Sequence, residues 1–168
     1  MLTLVIGGAA SGKSAYAEHL AVQSGGPRYY LATMQVWDAE CAARVAKHRA
    51  MRAQKQFATV ECPQNLHLVC LPQQGTALLE DLGNLAANEL YRPDGSCLPP
   101  KQAAEKMLAG IEAIAAQCNH LIIVSNEVFS GGADYAGETD LYLQALAMVN
   151  NAAVSYTHLR AHETRHDL

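Results

Sequence analysis

The stretch Gly7-Gly8-Ala9-Ala10-Ser11-Gly12-Lys13-Ser14 has the spacing G-x-x-x-x-G-K-S, whose glycines, lysine and hydroxyl suit it to hold a phosphate chain. Glycines at Gly7, Gly8 and Gly12 let backbone N–H groups curl around an anion at the positive end of the next helix. Lys13 is expected to reach the β- and γ-phosphates of a nucleoside triphosphate, and the Ser14 hydroxyl to sit on Mg2+. Both flanks fit: Leu2-Thr3-Leu4-Val5-Ile6 reads as a strand leading in, and Ser14 to Gln23 as a helix leading out.

A second group of reactive types lies between Asp38 and Arg52. Asp38 can cap a helix, and on that helix Glu40, Arg44, His48 and Arg52 recur every four residues and share a face. His48 is ringed by Arg44, Lys47, Arg49 and Arg52. Such neighbours disfavour an imidazolium, favour the neutral nucleophilic ring, and could hold a triphosphate against it. The same spacing also describes a solvated basic face with an idle histidine.

Carboxylates form a third group. Glu80 ends an apolar strand, a place from which an acid in a phosphate-loop protein reaches Mg2+ directly or through water. Alternatively, Glu80 and Asp81 cap the helix that follows. Glu61 also ends a strand and could face the nucleotide, although a surface role is the plainer reading. Trp37 could stack on a base or simply pack. His19, His67 and His120 lack partners at ligand spacing and read as structural.

These groups need a scaffold, and the rest of the chain supplies one. Strands are predicted at Arg28–Thr33, Ala58–Glu61, Thr76–Glu80 and His120–Ser125, the last apolar enough to be central. Helices are predicted from Leu82 to about Tyr91, from Pro100 to Gln117 and from Glu138 to Ala152. Alternating strands and helices imply an α/β fold with a mostly parallel sheet flanked by helices, in a single domain. Ligands gather outside the carboxyl ends of such strands, which makes Thr33, Met34 and Gln35 candidate contacts.

At 168 residues, half of them hydrophobic and 17% charged, with a net charge of −4, the chain suits one soluble domain and gives no hint of a nucleic-acid surface. Five scattered cysteines, Cys41, Cys62, Cys70, Cys97 and Cys118, read as free thiols in a reducing compartment. No leader or membrane span is expected, and the cytoplasm is the expected location. From residue 154 the composition turns polar and His/Arg-rich. His158, His162 and His166 would form a metal-binding stripe on a helix, but this stretch resembles translated sequencing adapter. Residues 1–153 are therefore expected to form the functional domain and 154–168 a non-native tail.

Together these residues resemble the bifunctional adenosylcobinamide kinase / adenosylcobinamide-phosphate guanylyltransferase family over about the first 153 residues. The likeness rests on the phosphate loop, Tyr30-Leu31-Ala32-Thr33, and the helix Asp38-x-Glu40-x-x-x-Arg44-Val45-x-x-His48-Arg49. Glu61-Cys62, Leu79-Glu80, Ser125-Asn126-Glu127-Val128, Glu138-Thr139 and Val149-Asn150 fall in register as well. The resemblance implies a P-loop NTPase-like fold and two reactions. An NTP, ATP or GTP, phosphorylates adenosylcobinamide with help from Lys13, Ser14 and Mg2+. GTP then guanylylates His48, and GMP passes to adenosylcobinamide phosphate.

Implied GTP contacts are Gly7 to Ser14 (Ala9, Ala10 and Ser11 included), Thr33, Met34, Gln35, Arg49, Ala50, Met51, Arg52, Glu61 and Glu80. Implied metal contacts are Ser14 and Glu80, and the implied assembly is a homotrimer. Relatives carry several arginines after the Glu-Thr pair, where this chain has Asp140, Leu141, Leu143, Gln144 and Met148, and the family's last strand has no counterpart here. Two other readings compete: a P-loop small-molecule kinase without guanylyl transfer, and a nucleotide-binding module without turnover.

Overall fold

A computed structural model describes residues 1–8, 10–36, 38–127, 138–156 and 162–163. Ala9, Trp37, the segment from Val128 through Phe129-Ser130-Gly131-Gly132 to residue 137, and His158 and His166 lie outside the described residues, as do the side chains of Glu138 and Thr139. Among the described residues six strands and five α-helices follow one another. These are β1 (Leu2–Gly7), α1 (Lys13–Gln23), β2 (Arg28–Ala32), α2 (Ala39–Gln54), β3 (Phe57–Glu61), β4 (Thr76–Glu80), α3 (Leu82–Leu90), α4 (Pro100–Ala115), β5 (His120–Asn126), α5 (Glu138–Tyr156) and β6 (His162–Glu163).

The sheet runs β3-β2-β4-β5-β1-β6 with every pair parallel. Strand alternation divides its side chains between two cores. Leu4, Leu31, Leu79, Leu121 and Ile123 pack with α3, α4 and α5 on one face. Val5, Tyr30, Leu78, Ile122 and Val124 pack under Ala17 and Ala21 of α1 on the other. β5 is apolar at both parities because both its faces are covered, and it lies inside the sheet as expected. Each fully buried aliphatic chain contributes roughly 1.5–3 kcal/mol.

Helix α4 comes close to the 3₁₀ turn at Leu66–Leu68, which sequence periodicity did not reveal. Gly110 makes this approach possible, since a Cβ there would stand 2.7 Å from that of Leu66. On α5, buried Asn150 accepts from Ser125 Oγ at 2.6 Å and donates to the Asn126 carbonyl at 3.2 Å, clasping the end of β5.

Two helices run farther than expected. α2 continues to Gln54 and α5 to Tyr156, because neither meets a glycine or proline at the expected stop. Beside β1 lies only the two-residue β6, drawn from the stretch set apart as a tail and pairing Val5 with His162 and Ile6 with Glu163. No full-length strand covers that edge among the described residues.

At the opposite end of the strands, His120 Nε2 meets Thr3 Oγ1 at 2.8 Å and Nδ1 meets Ser24 Oγ at 2.9 Å, tying β5 to β1 and α1. Burial, then the nearby terminal ammonium, hold the ring below the usual histidine range. The folded state therefore disfavours the proton that the unfolded chain takes up near pH 6.5. This contribution to stability is complete above that pH and shrinks as pH falls through it. Thermal melts between pH 7.5 and 5.5 should show wild type losing more of its melting temperature than His120→Gln; equal losses would refute the assignment.

Candidate active site

The site forms where β1, β2 and β4 end. β1 delivers its last residue, Gly7, into the anion loop, and Gly12 turns the chain into α1 with a left-handed φ of 81°. Ala10 shares that handedness at φ 56°, so the loop curls at successive points. Gly12 caps α1 without a side chain, which leaves the helix's positive end to an incoming anion. Lys13 Nζ folds back to donate to the Gly8 carbonyl at 3.0 Å.

Parallel pairing of β2 and β4 sets Ala32 beside Glu80. Glu80 leaves the sheet toward the loop, and the Ser14 hydroxyl donates directly to its Oε1. The other oxygen, Oε2, accepts from the Tyr30 hydroxyl at 2.6 Å. Burial and the Glu80 charge push the Tyr30 phenol far above its ordinary value, so it stays a donor. Beneath that ring the core closes with Phe57, edge-on at 6.1 Å between centroids. Above it lies the Arg52 guanidinium, 3.7 Å from the centroid.

Glu80 therefore does not cap the next helix. Asp81 does so alone, accepting from the Asn84 amide at 2.7 Å. Burial raises the Asp81 carboxyl above its usual range, against the Asn84 amide and the Lys13 charge.

Helix α2 begins with the expected Asp38 cap, which accepts from the Cys41 amide at 2.7 Å. Its buried residues are Cys41 and Arg52. His48 sits one turn before Arg52 and is exposed toward a cavity of about 480 Å3. That cavity is the deciding feature. Ser14 and Glu80 form one part of its wall, His48, Met51 and Arg52 of α2 another, and Met34 also lines it. Glu18 and Lys55, joined by a 2.6 Å ion pair, line it as well.

Other expected contacts are occupied elsewhere. Arg49 and Glu61 pair with each other across α2 and β3, both about half exposed, and neither lines the cavity. Thr33 is fully buried and holds the end of β4: its amide donates to the Glu80 carbonyl, and its Oγ1 accepts from the Asp81 amide at 2.8 Å. That hydroxyl lies 3.0 Å from the carbonyls of both Glu80 and Asp81, and the Thr33 carbonyl accepts from Asn88. Its polar groups serve the protein. The sequence reading missed Tyr30 in the site because a tyrosine inside a strand reads as core.

The CobU family model, described as cobinamide kinase / cobinamide phosphate guanyltransferase, matches residues 3–159. The chain belongs to this family. It is 36% identical over 133 residues to the bifunctional adenosylcobalamin biosynthesis protein CobP of Pseudomonas aeruginosa, covering 78% of this chain and 74% of that protein. Against the proteins CobU of Escherichia coli and Salmonella typhimurium, identity is 36% over 143 residues and 32% over 142, in each case covering 78% of this chain and 77% of the relative. Membership makes the chain an enzyme, a cobinamide kinase and cobinamide phosphate guanylyltransferase of cobalamin biosynthesis that uses nucleotide substrates. It sets aside the reading of a binding module without turnover and that of a kinase alone.

Thr33→Val keeps the shape but leaves the buried Asp81 amide without its acceptor. We expect a loss of about 1–3 kcal/mol in denaturant unfolding; an unchanged midpoint would contradict the role assigned to Thr33.

Proposed function

We propose that the cavity between the anion loop and α2 holds one nucleoside triphosphate at a time, ATP or GTP, and that His48 is the covalent acceptor of GMP from GTP. The observation that supports this reading is the presence of Ser14, Glu80 and His48 in the wall of a single cavity. In the kinase reaction, the loop amides and Lys13 hold the triphosphate of ATP or GTP, and the terminal phosphoryl group passes to the aminopropanol hydroxyl of adenosylcobinamide. In the transferase reaction, a ring nitrogen of His48 attacks the α-phosphorus of GTP. The bond to the β-phosphate oxygen breaks and pyrophosphate leaves. A phosphate oxygen of adenosylcobinamide phosphate then displaces the imidazole from phosphorus, giving adenosylcobinamide-GDP and free His48. Two displacements replace one harder step.

The Ser14 hydroxyl and the Glu80 carboxylate, in direct contact, form a hard-oxygen pair suited to Mg2+, which would neutralise phosphate charge there. Arg52 supplies charge beside the nucleotide, and Met34 and Met51 supply apolar wall. Arg49, Ala50, Gln35 and Glu61 are outside the cavity wall and are read as contacts for the parts of the nucleotide that extend beyond it. We read the working assembly as a homotrimer; Met34 and Met51, half-exposed in the cavity wall, are apolar surface that a neighbouring subunit would cover. A reducing cytoplasm suits the free cysteines; burial and the Glu89 charge push the Cys62 thiol up to about 11. Among the described residues no helix is long and apolar enough to cross a membrane.

GTP labelled at its α-phosphorus should leave an acid-labile, base-stable label on the protein. His48→Ala should abolish it, by more than about a thousandfold in transfer rate, while phosphorylation of adenosylcobinamide persists. Label retained in His48→Ala would disprove the nucleophile.

A further inference from the structure

Among the described residues Tyr30 is the one Phe, Tyr or Trp ring in the cavity wall, and it belongs to neither the anion loop nor the histidine helix. Nearly all of its surface is taken by the protein. The ring edge meets Phe57, the ring face carries Arg52, and the hydroxyl ends on Glu80 Oε2. Arg52 is itself buried; its guanidinium lies over the Tyr30 ring face and also interacts with the Tyr30 hydroxyl, while among the described residues its Nε has no hydrogen-bond partner. A carboxylate with one oxygen on Ser14 and no second anchor could turn about its side-chain bonds. The Tyr30 hydroxyl removes that freedom.

We propose that Tyr30 is a positioning residue that fixes the Glu80 carboxylate against Ser14, with Arg52 clamping its ring from the histidine helix. The inference rests on the reading above in which Ser14 and Glu80 face the metal of a bound nucleotide. A neutral phenol is the donor for this task, because it restrains one oxygen without cancelling the carboxylate's charge. A lysine in its place would compete with the cation. Fixing the donor beforehand spares the site the entropy of ordering it when the metal arrives.

The test uses Mn2+ as an EPR-visible probe, titrated into the full chain holding a GTP analogue with a methylene between its α- and β-phosphorus. Tyr30→Phe keeps the ring, its packing and the Arg52 guanidinium over its face, and its melting temperature is recorded alongside. We expect it to weaken Mn2+ binding about tenfold, the size of one charge-assisted hydrogen bond, and to weaken metal-free nucleotide binding by much less. In a Glu80→Gln background the same substitution should have no further effect, since the group it acts through is gone.

Wild-type Mn2+ affinity in Tyr30→Phe, with affinity lost in Glu80→Gln, overturns the inference and leaves the reading of the site intact. An equal loss from Tyr30→Phe in both backgrounds also overturns it, because Tyr30 would then act by another route. Unchanged affinity in Glu80→Gln alone is the failure of the metal reading itself, and the inference falls with it.

Discussion

Glu80 leaves the carboxyl end of β4 with two oxygens to satisfy in a half-buried place, and the way it does so organises the site. One oxygen takes the first-turn hydroxyl of α1, and the other takes a phenol from the neighbouring strand. A carboxylate so placed tolerates little movement of either partner, since partly buried charge is costly unless its hydrogen bonds are made. The β2–β4 register, the entry angle of α1 and the depth of Tyr30 are therefore mutually constrained. Thr33 secures the same junction from behind by binding backbone groups of Glu80 and Asp81. The Glu80 side of the site thus stands at the carboxyl end of a rigid sheet, which is where precision is easiest to hold.

Much of this was readable from the chain because the relevant signals are local. An anion loop needs its glycines, lysine and hydroxyl next to one another, so chemistry and spacing coincide in a short run. The buried strand Leu121-Ile122-Ile123-Val124 announces its place by being apolar at both parities. The cap at Asp38 is visible for the same reason: the acid lies three residues from the amide it serves.

What was not readable depends on partners far apart in sequence. The Tyr30 hydroxyl meets an acid fifty positions away, through a strand pairing that no local pattern states. Thr33 looked like a ligand contact because strand ends usually are. Its side chain turns inward because β4 lies immediately alongside and ends in backbone groups that need partners. Arg49 and Glu61 each looked like groups for a nucleotide, yet α2 lies against β3 so that they neutralise each other. Charge alone does not reveal which of two uses a residue has.

Helix α2 has an unusual attachment for an element that forms one wall of the cavity. It inserts one cysteine and one arginine into the protein and leaves most of its length in water. A segment so lightly moored opens at a small fraction of the cost of unfolding the sheet. The His48 imidazole thus rides on the more lightly held wall of the cavity. That wall of the cavity can shift while the strands beneath stay at rest.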